Sequence, residues 1–196
     1  MHEDFHHYDI ILGSQSPRRK LLLEDLGIDF SIISIDVEEV FPEHLSAVDA
    51  AIYLSELKAI AFPKEKLKEN SLLITADTVV SHSDQLLGKP RDCQEAVAML
   101  KLLSDTSHDV ITAFTLSSLK RMKSFYSITK VYFKALSDAE IEYYVEHYKP
   151  FDKAGAYGIQ EWIGKIGIEK IEGSYFNVMG LPIHQVYSEL ITFEKD

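Results

Sequence analysis

Residues 72–87 read LLITADTVVSHSDQLL, and this stretch decides the class of fold. Its first half is apolar and β-prone and predicts a strand over Leu72–Val80, followed by a turn over Ser81–Gln85 and a returning strand at Leu86–Leu87. Two strands joined by so short a turn are antiparallel. Because strands and helices alternate along the rest of the chain, the sequence predicts an α/β fold with a mixed sheet and not a purely parallel one.

The alternation continues on both sides of this hairpin. Further strands are predicted at Tyr8–Leu12, Phe30–Val37, Val110–Ser118, Ser124–Leu136 and Ile166–Ile171, and helices at Ser16–Leu26, Ser46–Phe62, Asp92–Ser104, Ser137–Tyr148 and Pro182–Phe193. Serines with an acidic residue three positions on, Ser46 with Asp49 and Ser137 with Glu140, predict capped helix starts. No linker or repeat interrupts the pattern, so we expect one domain over residues 1–196 with residues 1–7 as a flexible extension.

The charge of the chain limits its partners. The 196 residues include 20 Lys and Arg against 31 Asp and Glu, which gives a formal net charge of −11. Such a chain lacks the basic face that nucleic-acid polymers need, and no run approaches the ~20 apolar residues of a membrane span. A phosphate-bearing ligand would therefore need a local cluster of cations or a metal ion. The single cysteine, Cys93, excludes an intrachain disulfide, fits a reducing compartment, and is expected to be partly buried in its helix.

The segment GSQSPRRK at residues 13–20 directly follows a predicted strand. Ser16 suits a helix N-cap and Pro17 the first helical position, which places Arg18 and Arg19 in the first turn. Cations there oppose the helix dipole, at a cost of ~0.3–1 kcal/mol each when exposed. A bound phosphate would reverse this, because helix amides, serine hydroxyls and guanidinium groups would converge on it. The alternative is a solvated basic helix start with distant ion pairs.

Asp77 lies within the apolar strand, where aspartate is rare. A carboxylate in that position needs a partner, which is a cation, a metal, a reacting group or simply a neighbouring strand end. If the turn centres on Ser83–Asp84, Thr78 lies opposite Lys89, and Lys89 emerges near Asp77. Such a pair suits acid/base work or the binding of phosphate and metal. A structural ion pair is the competing interpretation.

Two further groups carry a weaker signal. In the segment DKAGAYGIQE, residues 152–161, glycines let the backbone approach a ligand, and Gln160 offers both a donor and an acceptor to a base edge. Such loops are more often simple turns.

Glu39 follows the second strand, and Lys58 lies on the next helix. Acidic residues at a strand end hold a divalent metal in some proteins, although a solvated acidic loop is the usual alternative.

Five blocks of sequence stand in the order and spacing of the Maf family of nucleoside triphosphate pyrophosphatases, which the chain resembles from Tyr8 to Phe193. The blocks are SQSPRR at 14–19, ADTV at 76–79, GKP at 88–90, DKAGAYGIQ at 152–160 and GLP at 180–182. The resemblance implies a mixed, elongated β-sheet flanked by helices in two lobes with a central cleft, like that of Maf and inosine-triphosphate pyrophosphatase proteins.

The resemblance also implies an activity. The family branch that acts on dTTP and UTP cleaves between the α- and β-phosphates, releasing the nucleoside monophosphate and pyrophosphate, and modified pyrimidine nucleotides are further expected substrates. A divalent cation, Mg²⁺ or Mn²⁺, a cytoplasmic location and a homodimer follow as family-level expectations. The alternative is a nucleotide-binding regulator of cell division or stress with little catalysis.

Family roles carry over position by position. Asp77 matches the catalytic aspartate, and we expect Lys89 to act with it. The predicted metal ligands are Glu39 and Asp77. The predicted substrate-binding residues are Ser14, Arg18, Arg19, Lys58, Thr78 and Gln160.

Base preference rests on three of these positions, Arg18, Thr78 and Gln160. The branch that acts on 7-methyl-GTP tends to have tryptophan, glutamine and glutamate there, and this sequence has none of the three. One departure stands beside them. Glu161 and Trp162 follow Gln160 where the dTTP/UTP branch usually has glycine, which adds bulk and a charge next to the proposed base site.

Overall fold

The computed structural model of the chain describes residues 7–42 and 44–193. The strands are β1 (Asp9–Leu12), β2 (Phe30–Ile32), β3 (Ser71–His82), β4 (Gln85–Leu87), β5 (Ser107–Ser117), β6 (Met122–Phe133) and β7 (Ile168–Glu172). The helices are α1 (Pro17–Glu24), α2 (Ala47–Ala61), α3 (Cys93–Leu103), α4 (Asp138–Tyr148), α5 (Trp162–Gly167), α6 (Tyr175–Met179) and α7 (Ile183–Thr192), with 3₁₀ turns at Lys64–Lys66 and Ala154–Ala156.

The strands form a 7-stranded sheet in the order β2-β1-β3-β5-β6-β7, and β4 pairs with β3. β1 runs parallel to both β2 and β3. In contrast, β4 is antiparallel to β3, and β7 is antiparallel to β6. The predicted mixed α/β fold is therefore confirmed.

The hairpin between β3 and β4 has the predicted turn. Ser83 and Asp84 both adopt positive φ, at 49° and 62°. Two successive residues with positive φ match the twist of the flanking strands. The paired residues are Val80 with Leu87, Ser81 with Leu86 and His82 with Gln85. β4 ends at Leu87, so Thr78 and Lys89 lie beyond the paired residues.

The second strand is shorter than predicted. The sequence predicts Phe30–Val37, but β2 ends at Ile32. Its neighbour β1 ends at Leu12, which pairs with Ile32. The last backbone bond runs from Ile33 N to Leu12 O at 3.1 Å. The β-prone residues that follow have no strand left to pair with, because β1 gives way to the segment that leads into α1.

The predicted helix starts are confirmed. Ser16 caps α1 by accepting from Arg19 N, and Ser46 caps α2 by accepting from Asp49 N. A complete capping box joins Ser137 and Glu140 at the start of α4. The expectation for Cys93 is wrong: it is exposed, since it is the first residue of α3 after the Asp92 cap.

The chain forms two compact units, both discontinuous in sequence. Unit 1 comprises Met1–Asp77, Thr112–Ser127 and Gly180–Asp196, and unit 2 comprises Thr78–Ile111 and Ile128–Met179. Strands β3, β5 and β6 supply residues to both. In unit 1, α2 packs on the sheet through a core that includes Ala59, Phe62, Ile11 and Leu73. In unit 2, α3 packs against α4.

The start of the chain and the character of its helices were also predicted from the sequence. Of the predicted extension at residues 1–7, residues 1–6 lie outside the described part, and the carbonyl of His7 accepts a hydrogen bond from Asn70 Nδ2 at 3.2 Å. Across the described ranges, no helix combines the length and the apolar character needed to cross a membrane.

Candidate functional site

Lys58 joins two carboxylates in unit 1. Its Nζ donates to Asp77 Oδ1 and lies 2.7 Å from Glu39 Oε1. Lys58 and Asp77 are both buried, whereas the side chain of Glu39 is about one-third exposed. Lys58 sits in the last turn of α2, where a cation also favours the helix dipole. The sequence predicted Asp77 as catalytic and metal-ligating, Glu39 as metal-ligating and Lys58 as substrate-binding, and the structure places the three side chains in contact.

Buried hydroxyl groups fix the position of α2 against the sheet. Ser55, one turn before Lys58, hydrogen-bonds Thr115 between their hydroxyl oxygens at 2.8 Å. Thr75, two residues before Asp77 on β3, donates to the Ser55 carbonyl at 2.7 Å. Because hydrogen bonds between buried groups are costly to break, these contacts set the register in which Lys58 meets Asp77.

Arg19 lies at the start of α1 and is tied to a distant segment. Its Nε donates to the Gly180 carbonyl at 2.8 Å, and its Nη1 donates to Ser14 Oγ at 3.4 Å. Burial lowers the pKa of Arg19, and the carboxylates of Asp77 and Glu39 oppose that shift. A guanidinium keeps its charge in proteins even so. Arg19 is thus a positioned cation within electrostatic reach of the carboxylates that Lys58 joins.

The carboxylates of Glu39 and Asp77 fit a small hard cation. Both approach one point, which the Lys58 ammonium group occupies. Mg²⁺ is commonly held by one or two carboxylates together with substrate phosphates and water. Among residues 7–42 and 44–193, no cluster of three or more His, Cys, Asp or Glu residues could hold a metal by itself. The pair therefore suits a metal that arrives with a phosphate-bearing substrate.

Three of the predicted residues, Thr78, Lys89 and Gln160, belong to unit 2. Thr78 is half-buried on β3, and Lys89 is exposed two residues after β4. Asp77 is the last unit 1 residue of β3. The expected approach of Lys89 to Asp77 stays a prediction.

Gln160 has an unsatisfied acceptor. Its Oε1 is buried and has no hydrogen-bond partner in the described part of the chain. A buried polar atom without a partner costs free energy, which a ligand donor would recover once the amide turned toward it. Gln160 also lines a pocket of about 320 Å³ in unit 2, together with Ile159, Ile168, Ile171 and Tyr175.

Next to Gln160, the carboxylate of Glu161 is fully engaged. Tyr144 Oη donates to Glu161 Oε2, and Lys153 Nζ lies 3.1 Å from Glu161 Oε1. Tyr144 is completely buried, and Lys153 is also buried. Burial, reinforced by the Glu161 carboxylate, raises the pKa of Tyr144, so the hydroxyl stays a donor. The Lys153 ammonium group thus pairs with two carboxylates, that of Glu161 and that of Asp152 at 2.7 Å.

Comparison with known proteins identifies the family. The sequence profile described as Maf-like protein matches residues 9–193. The chain belongs to the Maf family. This Maf-family chain is 51% identical over 185 residues to the dTTP/UTP pyrophosphatase of Flavobacterium johnsoniae, covering 94% of this chain and 95% of that protein. It is 48% identical over 184 residues to the dTTP/UTP pyrophosphatase of Bacteroides fragilis strain ATCC 25285, covering 93% of this chain and 95% of that protein.

Among solved structures, this Maf-family chain is similar to the Staphylococcus aureus Ham1 protein, with a TM-score of 0.41 and 15% sequence identity. That alignment covers 64% of this chain and 71% of the Ham1 chain.

Sequence reasoning missed several contributors to the Maf-family sites. Gly180 was visible only as part of a sequence block, and its carbonyl is a partner of Arg19. Tyr144 and Lys153 gave no signal by spacing, because they meet Glu161 only after folding. The one hint of a buried ion pair was Lys153 itself. It is a lysine in the apolar, glycine-rich segment after Pro150, and it is close in sequence to Glu161.

Proposed function

We propose that this chain hydrolyses nucleoside triphosphates, preferentially dTTP and UTP, to the nucleoside monophosphate and pyrophosphate. The relatives that match nearly its whole length bear the name dTTP/UTP pyrophosphatase. The structural observation that carries the proposal is the cluster in unit 1 where Lys58 joins Asp77 and Glu39. This cluster combines a carboxylate that can take a proton with cations that can hold phosphate.

Binding of the triphosphate falls to the cations of unit 1. Arg19 presents a planar guanidinium held by Ser14 and the Gly180 carbonyl, and planar guanidinium groups match phosphate oxygens. Arg18 follows Pro17 in the same first turn of α1, where the helix N-terminus also favours an anion. Lys58 adds a third positive charge. We assign Lys89 of unit 2 to the same role or to stabilising the leaving pyrophosphate.

Asp77 is the proposed proton acceptor in hydrolysis. A water oxygen forms a bond to the α-phosphorus, the bond to the bridging oxygen of the β-phosphate breaks, and pyrophosphate leaves with that electron pair. The proton of the water passes to the Asp77 carboxylate. The hydrogen bond from Lys58 to Oδ1 fixes the orientation of this carboxylate. A positioned base of this kind contributes about 10²–10⁴-fold to the rate.

Mg²⁺ or Mn²⁺ is the cation that we propose for Glu39 and Asp77, because both supply hard oxygen ligands. When bound, the ion would neutralise phosphate charge and polarise the scissile region. The chain itself contributes the two carboxylates, and the ion would take the position between them that the Lys58 ammonium group holds in this structure.

Base selection falls to unit 2. A Gln160 amide with an unsatisfied Oε1 calls for an N–H donor, and uracil and thymine present such a donor at N3. Cytosine has an acceptor at that position. Thr78 and, in unit 1, Arg18 are the other residues that we assign to base preference. Modified pyrimidines that keep the N3–H are substrates under the same proposal.

Pyrophosphate release from a panel of nucleotides tests this function. The panel contains dTTP, UTP, CTP, ATP and GTP, each with Mg²⁺ and with Mn²⁺. We expect the fastest release from dTTP and UTP, and a loss of about 10²-fold or more in kcat for Asp77→Asn. The matched control is Asp36→Asn, a change at an exposed carboxylate, which should leave kcat unchanged.

Two results would contradict the proposal. An Asp77→Asn protein with the wild-type rate removes Asp77 from the mechanism. Tight nucleotide binding by the wild type without pyrophosphate release from any nucleotide supports the regulator alternative.

Two further expectations complete the proposal. We place the activity in the cytoplasm, where a chain with one cysteine and no disulfide is stable. We also propose a homodimer. Light scattering of the purified protein measures its mass in solution. A mass of about 22 kDa would contradict the dimer, since one protomer has a mass of 22.3 kDa.

A further inference from the structure

Gln160 projects from a tight turn whose two ends are tied to one hydroxyl group. Glu161 N donates to the Gly158 carbonyl at 3.0 Å, which closes a turn over residues 158–161. Gly158 N donates to Tyr144 Oη at 3.0 Å, and the same oxygen donates its proton to the Glu161 carboxylate. The Tyr144 hydroxyl therefore bridges the first and last residues of the turn that carries Gln160.

The carboxylate of Glu161 uses both of its oxygens in this arrangement. Oε2 accepts from Tyr144, and Oε1 pairs with Lys153 at 3.1 Å. Lys153 is 8% exposed, and its Nζ also lies 2.7 Å from Asp152 Oδ1. A buried ammonium group needs such compensation, so Glu161 is held on two sides.

Gly158 provides the space for this packing. A Cβ atom at residue 158 would lie 2.8 Å from Glu161 Cδ and 3.1 Å from Gln160 Nε2. The carboxylate of Glu161 and the amide of Gln160 therefore both lie against the bare backbone of Gly158. The amide itself has an unpartnered Oε1, so its position depends on the turn beneath it.

We propose that Tyr144, Glu161 and Lys153 are positioning residues that hold the Gln160 amide for recognition of a uracil or thymine base. The inference rests on the proposed function and names the contacts that set base preference at that site. It also gives a role to Glu161, which adds bulk and a charge directly next to Gln160. The side chain of Glu161 folds back over Gly158, and its carboxylate pairs with Lys153.

The positions suggest a sharp set of variants. Glu161→Ala removes both contacts, Tyr144→Phe removes only the bridging hydroxyl, and Glu161→Gln keeps an oxygen that can accept from Tyr144. The controls are Glu142→Gln, an exposed carboxylate on α4, and Tyr148→Phe, whose ring stacks on Tyr144.

Kinetics and binding give two independent readouts. The first is the ratio of kcat/KM for UTP over CTP. The second is the affinity for UMP and CMP, followed through the fluorescence of Trp162, which is the single tryptophan of the chain and adjoins Glu161. We expect Glu161→Ala and Tyr144→Phe to lower the UTP preference by about tenfold, through a higher KM for UTP with kcat retained. Glu161→Gln should recover part of that loss, and both controls should match the wild type.

The outcomes separate this inference from the proposed function. Equal losses for UTP and CTP, or a lower Tm with an unchanged UTP preference, would mean that the network is only structural. A wild type with no preference for UMP over CMP also overturns the inference. A wild type that binds UMP selectively but hydrolyses no triphosphate refutes the proposed function, while selective binding that Tyr144→Phe abolishes still supports the positioning role.

Discussion

At the scale of single residues, the Lys58 ammonium group holds together two carboxylates that would otherwise repel each other. Asp77 is 7% exposed, so it depends on that partner more than Glu39 does. Removing one member of a buried ion pair leaves an uncompensated charge and costs about 3–5 kcal/mol. This cluster is therefore both the proposed chemical centre and a weak point of the folded state.

We expect Lys58→Met to lower the free energy of unfolding by about 3 kcal/mol. Mg²⁺ should restore more stability to this variant than to the wild type, because the ion can take the position between the carboxylates. Thermal unfolding with and without Mg²⁺ checks both statements. Lys68→Met, which breaks the exposed pair with Asp9, should change stability by about 1 kcal/mol or less and keep the wild-type response to Mg²⁺. Identical Mg²⁺ responses of wild type and Lys58→Met would refute the metal assignment.

A second residue, His108, predicts how stability depends on pH. Its Nε2 lies 2.7 Å from Tyr157 Oη, while its Nδ1 is buried without a hydrogen-bond partner in the described ranges. Burial, with a smaller contribution from His82, lowers the pKa of His108 to about 3. An unfolded histidine has a pKa of about 6.5, so below that pH the unfolded chain takes up a proton that the folded chain refuses.

Stability from His108 is therefore complete above about pH 6.5 and is lost as the pH falls toward 3. We expect the free energy of unfolding of the wild type to fall about 1.4 kcal/mol per pH unit more steeply than that of His108→Gln between pH 6 and about pH 4. Urea unfolding at a series of pH values measures this slope. His147→Gln, at an exposed histidine of α4, should keep the wild-type slope. Parallel curves for wild type and His108→Gln would show that His108 accepts its proton in the folded state.

At the scale of elements, the 3₁₀ turn Ala154–Ala156 depends on a glycine. Gly155 has φ +69°, and a Cβ there would lie 3.1 Å from Val80 Cγ2. Gly155→Ala should therefore lower the free energy of unfolding by roughly 1–3 kcal/mol. Chemical denaturation provides the measurement. Gly88→Ala is the matched control because nothing lies within 4 Å of its Cβ position, and a loss as large as that of Gly155→Ala would refute the explanation.

Elements defined by local chemistry were predictable from the sequence. The turn at Ser83–Asp84 and the caps at Ser46 and Ser137 depend on residues within a few positions of one another. The length of β2 was not predictable, because it is set by where its partner β1 ends. A strand cannot show in its own residues how long its neighbour is.

The same distinction applies to the candidate site. Residue types at Asp77, Lys58 and Arg19 pointed to phosphate chemistry, but not to their partners. The bond between Lys58 and Asp77 spans 19 positions, and that between Arg19 and Gly180 spans 161. Such pairings follow from the sheet order and the docking of α2, which no local pattern encodes. The partners of Glu161 were hidden for the same reason, since the sequence showed its bulk and charge next to Gln160 but not its contacts with Lys153 and Tyr144.

For the whole molecule, the net charge of −11 opposes the approach of a triphosphate. This repulsion acts over long distances and is screened by salt, while contacts to the buried Lys58 and half-buried Arg19 are screened much less. We therefore expect kcat/KM for UTP at constant Mg²⁺ to rise about two- to threefold as NaCl increases from 0.01 to 0.1 M. Steady-state kinetics gives the measurement, and binding of uridine, which carries no phosphate, should not change. A steady decrease of kcat/KM over this range would show that the local cations dominate the approach.

The bond from Arg19 to the Gly180 carbonyl also has a consequence for synthesis on the ribosome. Arg19 leaves the exit tunnel 161 residues before Gly180 does. Unit 1 needs the Gly180–Asp196 segment as well as Met1–Asp77 and Thr112–Ser127. A nascent chain therefore cannot secure Arg19 until Gly180 has left the tunnel, and a product terminated before Gly180 is released without this hydrogen bond.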